Sequence, residues 1–383
     1  MRKQSLGVVA GVAAVTLSLA GCGGSTTAKS ATPGAGSTGS AGAPASSGAG
    51  SKPAGKVGVI LPDATTSPRW EANDRPLLTA SFKAAGITSD IQNANGDKTK
   101  FGTICDSLIT EGVNVMMIVN LDSDSGSACL KKAQGAGIKT IDYDRLTLGG
   151  GASYYVSFDN VAVGRLMGQG VQKCLTQDGK SAANVVLING DPTDNNAALF
   201  KQGYKEALAP AEASGKIKIV GDQTGKWDAT IAGTAFEQLY TQNGGKVDGV
   251  VSANDTMATG IIARLKANHL NGKVPVTGQD ASIAGLQQIL AGDQCMTVYK
   301  AIKKEADAAS QLAIAVLQGK DASALASGKV NDSVLHKDVP SVLETPVAIF
   351  KTNVKDVVTD GFQKAADICT GAAAAACKSQ GIS

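Results

Sequence analysis

From Lys56 onward, two kinds of apolar pattern alternate along the chain. Short unbroken runs such as Val57–Leu61 and Val113–Val119 have the length and β-branched content of strands buried on both faces. Between them, apolar residues recur three and four apart, the spacing of one helix face. The pattern predicts strands at Val57–Leu61, Thr88–Gln92, Val113–Val119 and Lys139–Tyr143. Helices are expected between them, one ending near Gly86 and two over Thr99–Glu111 and Gly126–Gln134. The pattern restarts with strands at Tyr154–Ser157, Asn184–Ile188, Ile217–Val220, Val247–Ser252, Val274–Thr277 and Met296–Tyr299. The matching helices are Val161–Lys173, Ala197–Leu208, Thr230–Thr241, Thr256–Ala267, Ile283–Ala291 and Lys303–Leu317. Pro76 falls inside the first helical pattern, so that helix begins late or kinks.

Alternating strands and helices imply right-handed βαβ units, and so parallel sheets with helices on both faces. The strands are too many for one compact sheet. The expected fold class is α/β, with two doubly wound parallel-sheet lobes. The Gly149-Gly150-Gly151 break is the natural first crossover between them. A length of 383 residues also fits two domains.

The N-terminus departs from this alternation. Arg2 and Lys3 precede a short apolar core, Leu6 to Ala20, which reads as an export signal. It ends in Leu19-Ala20-Gly21-Cys22, similar to the lipobox of bacterial lipoproteins. That likeness implies cleavage after residue 21, a lipidated Cys22 and an anchor in the outer face of the cell membrane. Residues 22–55, rich in Gly, Ser, Ala, Thr and Pro, have too little apolar bulk to offset ordering and read as a tether reaching roughly 30 Å. Gly34-Ala-Gly36-Ser-Thr-Gly39 imitates a dinucleotide fingerprint, but neither a strand nor a helix flanks it. No cofactor is therefore expected.

Composition narrows the classes further. With 36 basic and 33 acidic residues, the net charge of +3 is too balanced for an electrostatic nucleic-acid binder. Seven Cys, less Cys22, leave six, and an even number outside the cytoplasm permits disulfides with the connectivity open. Cys105–Cys129, on consecutive helical patterns around one strand, and the local Cys369–Cys377 are the pairs expected. Two His and no C-x-x-C make a metal site unexpected, and His269 and His336 both fall in turns.

In open α/β sheets, ligands bind beyond the carboxyl ends of the strands. Polar and planar side chains gather there: Asp63, Arg69 and Trp70 after the first strand, Asp144 and Arg145 after the fourth. Asp191-Pro-Thr-Asp194-Asn195-Asn196, Trp227, Asn254-Asp255, Gln279-Asp280 and Lys300 follow later strands, so both Trp residues of the chain belong to this set. Such side chains suit a neutral sugar. Its hydroxyls donate and accept, forks of Arg and Asp grip adjacent hydroxyls, and a flat indole covers apolar C–H faces. The competing reading makes Asn254, Asp255 and Asp280 helix caps and both Trp residues core packing.

The segments Arg69-Trp70, Tyr143-Asp-Arg145, Ser157-Phe-Asp-Asn160, Asp194-Asn-Asn196, Ser252-Ala-Asn-Asp255, Gly278-Gln-Asp280 and Met296-Thr-Val-Tyr-Lys300 resemble the periplasmic sugar-binding proteins of ABC transporters, in the ribose-binding-like class. The resemblance covers about Lys56 to Gln363. It implies a type I periplasmic binding protein whose lobes are joined by a three-segment hinge, with crossings near Thr147, Lys300 and Thr345. The first lobe would then comprise 56–147 plus 301–344, and the second 148–300 plus 345–383. Sugar contacts carry over to Arg69, Trp70, Asp144, Arg145, Asn195, Trp227, Asn254, Asp280 and Lys300. The implied function is capture of a monosaccharide by hinge closure, with D-xylose ahead of glucose, arabinose and ribose. The implied partner is an ABC permease with a separate ATPase subunit, since this chain has no G-x-x-x-x-G-K-[ST]. A monomer is expected, held to the membrane by its lipid anchor alone. The same fold in a sugar-sensing receptor is the alternative; a DNA-binding regulator lacks its N-terminal helix pair here, and an enzyme lacks its acid–base set.

Overall fold

The structure is a computed structural model that describes residues 55–382. Cys22, the signal over 1–21 and nearly all of the tether lie outside the described residues.

One sheet of seven strands forms the frame of the first lobe, in the order β10-β11-β5-β4-β3-β1-β2. Its strands are β1 (Lys56–Leu61), β2 (Thr88–Asn93), β3 (Val115–Ile118), β4 (Lys139–Tyr143), β5 (Tyr154–Phe158), β10 (Gly328–Asp332) and β11 (Lys337–Glu344). All neighbours are parallel except the β10–β11 hairpin. Side chains alternate faces along each strand. Val57, Val59 and Leu61 pack with Phe82 of α1 (Arg75–Ala84) and Leu312 of α9 (Ile302–Leu317). Ile60 and Met116 pack with Phe101 of α2 (Lys98–Thr110) and Leu130 of α3 (Ser123–Gly135).

The second lobe is built on β7 (Ile217–Thr224), β6 (Ala183–Asn189) and β8 (Gly249–Ser252), parallel in that order. Helices α4 (Asn160–Gln177), α5 (Asn195–Ala213), α6 (Ala229–Gln242) and α7 (Asp255–Ala267) surround them. Beyond β8, single bridges at Val250–Val276 and Gln279–Val298 lead to the antiparallel pair β9 (Met296–Tyr299) and β12 (Val347–Phe350). The strand expected at Val274–Thr277 is thus only a bridge, because Pro275 has no N–H to donate to a ladder. The helix α8 (Ile283–Ala291) packs against a tail of three short helices, α10 (Val354–Thr359), α11 (Ala365–Ile368) and α12 (Ala374–Ser379).

By sheet membership the chain passes between the lobes after Phe158, after Tyr299 and after Glu344. The first of these corrects the boundary expected at Thr147. Tyr154–Phe158 stays in the first sheet, paired with β4 on one side and β11 on the other. The three glycines form a loop that turns the chain back into the same sheet, with Gly149 (φ 75°) and Gly151 (φ 65°) in the left-handed region. Carboxylates fasten that loop. Asp142 accepts from Thr147 N and Thr147 Oγ1, both at 2.7 Å, and Asp332 accepts from Gly149 N at 2.9 Å.

Pro76 is accommodated at the second position of α1, after a π-helical turn, Trp70–Asp74. In that turn Arg75 N–H donates to the Trp70 carbonyl, so the ladder has lengthened by one residue before the missing proline N–H is reached. Among the described residues there are three disulfides: Cys105–Cys129 and Cys369–Cys377, the pairs expected, and Cys174–Cys295, which no sequence signal assigned.

The Cys174–Cys295 bridge spans 121 residues and ties α4 to the entry of β9 within the second lobe. Replacing both by Ala is expected to cost about 2–4 kcal/mol, read from urea unfolding of the oxidised protein. Burial lifts the Asp142 carboxyl to about 7, against the two Thr147 donors and with a smaller push from Asp332. From about pH 4, the ordinary carboxylate range, up to about 7, the folded chain holds a proton that the unfolded chain releases. Stability from this group is full below that window and is lost as pH rises through it. Asp142→Asn should flatten the decline of the urea midpoint between about pH 4 and about pH 7.

Candidate functional site

The carboxyl ends of both sheets face one small cavity between the lobes. From the first lobe, the loop after β1 supplies Thr66, Ser67, Arg69 and Trp70, and the loop after β4 supplies Asp144 and Arg145. From the second, Asp194, Asn196 and Phe200 come from the start of α5, Trp227 follows β7, and Asn254 follows β8. Gln279 and Asp280 precede α8, and Lys300 directly follows β9 at the second crossing. The lobes are closed over this space. Asn196 Nδ2 donates to the Asp144 carbonyl at 3.0 Å, and Ser67 Oγ to Asp280 Oδ2 at 3.1 Å.

Three of these side chains are aimed by strained backbone. Asp144 (φ 63°), Trp227 (φ 60°) and Asp280 (φ 101°) occupy the left-handed region, at roughly 1–3 kcal/mol each. Asp144 heads a three-residue turn in which Arg145 N–H donates to the Tyr143 carbonyl at 2.8 Å. Its own carbonyl also accepts from Tyr155 Oη at 3.0 Å and Ser157 Oγ at 2.7 Å. The Trp227 indole lies over Gly190, where a Cβ would come within 2.0 Å of the ring, so only glycine leaves room.

Charge is concentrated here. Arg69 donates from Nε to Asp74 at 3.0 Å, from Nη1 to Asp144 at 2.7 Å, and from Nη2 to Asp74 at 2.8 Å and Glu305 at 2.5 Å. Four of its five N–H groups are thereby used, and one on Nη1 remains. Lys300 Nζ stands 3.6 Å from Asp144 and 3.4 Å from Asp280, bridging the two lobes. Arg145 Nε lies 2.9 Å from Asp194 Oδ2, but off the hydrogen-bond direction, so the contact is an ion pair only. Burial would raise the Asp144 carboxyl, yet Lys300, Arg69 and Arg145 outweigh it and hold the group well below the usual range. Glu305 goes the other way: burial drives it far up, against Arg69. Asp144 is thus the negative charge on which Arg69 and Lys300 converge.

Among the described residues, half of the buried side-chain polar atoms left without a hydrogen-bond partner lie at this cavity. Trp70 Nε1, Arg145 Nε, Trp227 Nε1, Gln279 Oε1 and Asp280 Oδ1 are among them. Unpaired buried groups are costly, so their gathering on one cavity points to a ligand that pairs them. Both indoles add apolar faces, Trp70 with Arg69 stacked 4.3 Å from the ring centroid.

Arg69, Trp70, Asp144, Arg145, Trp227, Asn254, Asp280 and Lys300 all line the cavity. Asn195 does not; it is half-buried outside the lining, and Asn196 takes that place. Asp194 caps α5 by accepting from Asn196 N, and the first helical turn rotates the next residue away from its neighbour. Capping and lining are not exclusive: Asn254 Oδ1 caps α7 through Met257 N while its Nδ2 reaches Thr66 O at 3.4 Å. Asp280 caps nothing, since Ser282 caps α8. The two Trp residues likewise belong both to the lobe cores and to the lining. Thr66, Ser67, Asp194, Asn196, Phe200 and Gln279 were not assigned as contacts, although Asp194, Asn196 and Gln279 occupy strand-end positions. Phe200 was findable only as the residue one helical turn beyond Asn196. Among the described residues no cluster of metal ligands occurs, and no helix is long and apolar enough to cross a membrane.

The periplasmic binding protein domain family matches this chain over residues 57–321. The D-xylose-binding periplasmic protein of Escherichia coli K12 is 37% identical over 315 residues, covering 82% of this chain and 92% of that one. The multiple sugar-binding periplasmic receptor ChvE of Rhizobium radiobacter is 34% identical, covering 82% of this chain and 92% of its own. Among solved structures, the carbohydrate transporter solute-binding protein of Chloroflexus aurantiacus, in complex with D-glucose, matches with a TM-score of 0.74 and 29% identity over 81% of this chain and 97% of that one. Together with the two-lobed α/β architecture and its polar cleft, these likenesses make the chain a member of the periplasmic binding protein family, with the type I fold, and a solute-binding protein for sugar import.

Proposed function

We propose that this protein captures D-xylose between its two lobes and delivers it to an ABC transporter permease. The observation that carries this reading is the set of unpaired buried donors and acceptors on both walls of one small cavity, beside two indole faces. Donors come from Trp70, Arg145 and Trp227, acceptors from Gln279 and Asp280, and a neutral polyol offers hydroxyls that match either kind. A charged solute fits less well, because the ion pairs around Asp144 already employ most of the cationic nitrogens. Within the lining, Asp280 and Asn254 take the role of hydroxyl partners, Trp70 and Trp227 that of stacking faces, and Arg69, Arg145 and Lys300 that of donors held by carboxylates. The choice of pentose rests on the 37% identity to the D-xylose-binding protein. The likeness to a multiple sugar-binding receptor favours a second reading, a wider range that includes glucose, and ChvE-like receptor function goes with it.

We further propose that the mature chain begins at a lipidated Cys22, that residues 22–55 tether the lobes to the outer membrane face, and that the protein acts as a monomer. Lipidation follows from the small residues directly before Cys22, and the tether from a composition that cannot form a core. Delivery to a permease follows the family's role and needs an ATPase on another subunit.

D-xylose is expected to change the emission of Trp70 and Trp227 saturably and to raise the melting temperature, because it binds only the folded state. Asp280→Ala should weaken binding by at least roughly thirtyfold, about 2 kcal/mol, with His269→Ala as an unaffected control. Emission and melting temperature that ignore every pentose and hexose would remove the sugar reading; a response to glucose equal to that of xylose would favour the wider range. Cys22→Ala should abolish membrane fractionation, and unchanged retention would end the anchor proposal.

A further inference from the structure

Asp255 stands one residue past the cavity-lining Asn254, is fully buried, and belongs to no assigned contact. Three separate features converge on its carboxylate. Oδ2 accepts from Ser282 N–H at 2.9 Å. Oδ1 accepts from Gln294 Nε2 at 2.8 Å, and Gln294 also reaches the Met296 carbonyl at 3.0 Å. Glycines flank it on both sides: a Cβ at Gly278 would come within 2.1 Å of Oδ1, and one at Gly285 within 2.3 Å of Oδ2. Neither glycine occupies the left-handed region, so the space they leave, rather than turn geometry, accounts for them.

The segment this carboxylate grips is the most distorted in the site. Asp280 (φ 101°) and Ala281 (φ 48°) are consecutive side-chain-bearing residues at positive φ. Each N–H of the corner is held by a neighbouring element. Asp280 N–H donates to Val298 O at 2.9 Å, Ala281 N–H to Thr297 Oγ1 at 3.2 Å, and Ser282 N–H to Asp255. Two of the anchors belong to β9, and only Asp255 ties the corner to α7, beside Asn254. We propose that Asp255 is a positioning residue whose carboxylate fixes the Asp280–Ser282 corner and so aims Asp280 at the ligand. The proposal rests on the reading of Asp280 as a ligand contact. A carboxylate is costly at this position, where burial lifts it to about 7 against its Gln294 and Ser282 donors.

The test is a double-mutant cycle on the full mature protein, with calorimetric titration of D-xylose and, in parallel, D-glucose. Asp255→Ala is expected to weaken binding about tenfold, and Asp255→Ala with Asp280→Ala to bind no more weakly than Asp280→Ala alone, within about twofold. Non-additivity of that kind is what a residue acting through Asp280 produces; a merely stabilising residue leaves the two losses additive. If circular dichroism shows that Asp255→Ala does not fold, the isosteric Asp255→Asn carries the same cycle. It keeps the volume but sets a donor against Gln294 Nε2, and a loss of about threefold is expected. Additive losses, or binding by the folded Asp255 variant equal to wild type, overturn the proposal while leaving the sugar site standing. Asp280→Ala binding like wild type, or a wild type that takes neither sugar, overturns the site assignment and this inference together.

Discussion

Asp144 is the point at which the two lobes and the hinge meet. Its backbone is bent into the left-handed region, which a side-chain-bearing residue adopts only under restraint. Restraint comes from β5 through Tyr155 and Ser157, from the second lobe through Asn196, and from Val156, whose carbonyl accepts the Asp144 N–H at 2.8 Å. The carboxylate in turn receives Arg69 from the loop after β1 and faces Lys300 at the second crossing. The loop after β1, β5, the start of α5 and the second crossing therefore all contact one residue, and loss of its charge would leave two buried cations short of a partner.

Around that residue, the surplus of acid over base has a physical resolution. Arg69, Arg145 and Lys300 share the space with Asp74, Asp144, Asp194, Asp280 and Glu305. Five charged carboxylates could not be held by three cations in a dry interior. Burial raises Asp74, Asp194 and Glu305, each against a cationic neighbour, while Asp144 is drawn down. Glu305 sits on α9, just past the second crossing, so the protonation of a hinge helix and the alignment of a cavity arginine belong to one network.

The π-helical turn at Trp70–Asp74 serves the same network. It accommodates Pro76 and also brings Arg69 and Asp74 onto one side, close enough for a two-pronged contact. An uninterrupted helix would rotate residues five apart by about 140° beyond a full turn, which would separate those side chains. The irregularity and the paired charges explain each other, as extra helical residues near functional sites often do.

Much of this was legible along the chain. Apolar runs and helical spacing located β1 to β9 and α1 to α9, because burial of the parallel sheets is imposed residue by residue, but not β12 or the three short helices of the tail. The rule that ligands lie at strand carboxyl ends put Arg69, Trp70, Asp144, Arg145, Trp227, Asn254, Asp280 and Lys300 at the cleft, and all eight line the cavity, since strand direction fixes which end faces it. The half-exposed hairpin β10–β11 left no clean pattern, as edge strands have only one face to bury. Sequence also could not decide where the chain first leaves its sheet. Three glycines permit a sharp turn, but only the pairing of β5 with β4 and β11 makes that turn a return rather than a departure. Asn195 and Asn196 are alike in chemistry, and the choice between them depends on the rotation of α5 about its cap. Composition and periodicity thus determined the layers and the chemical character of the cleft. Side-chain direction, the partners of each charge and the Cys174–Cys295 bridge were decided by tertiary packing, because they depend on distances between segments that are far apart in the chain.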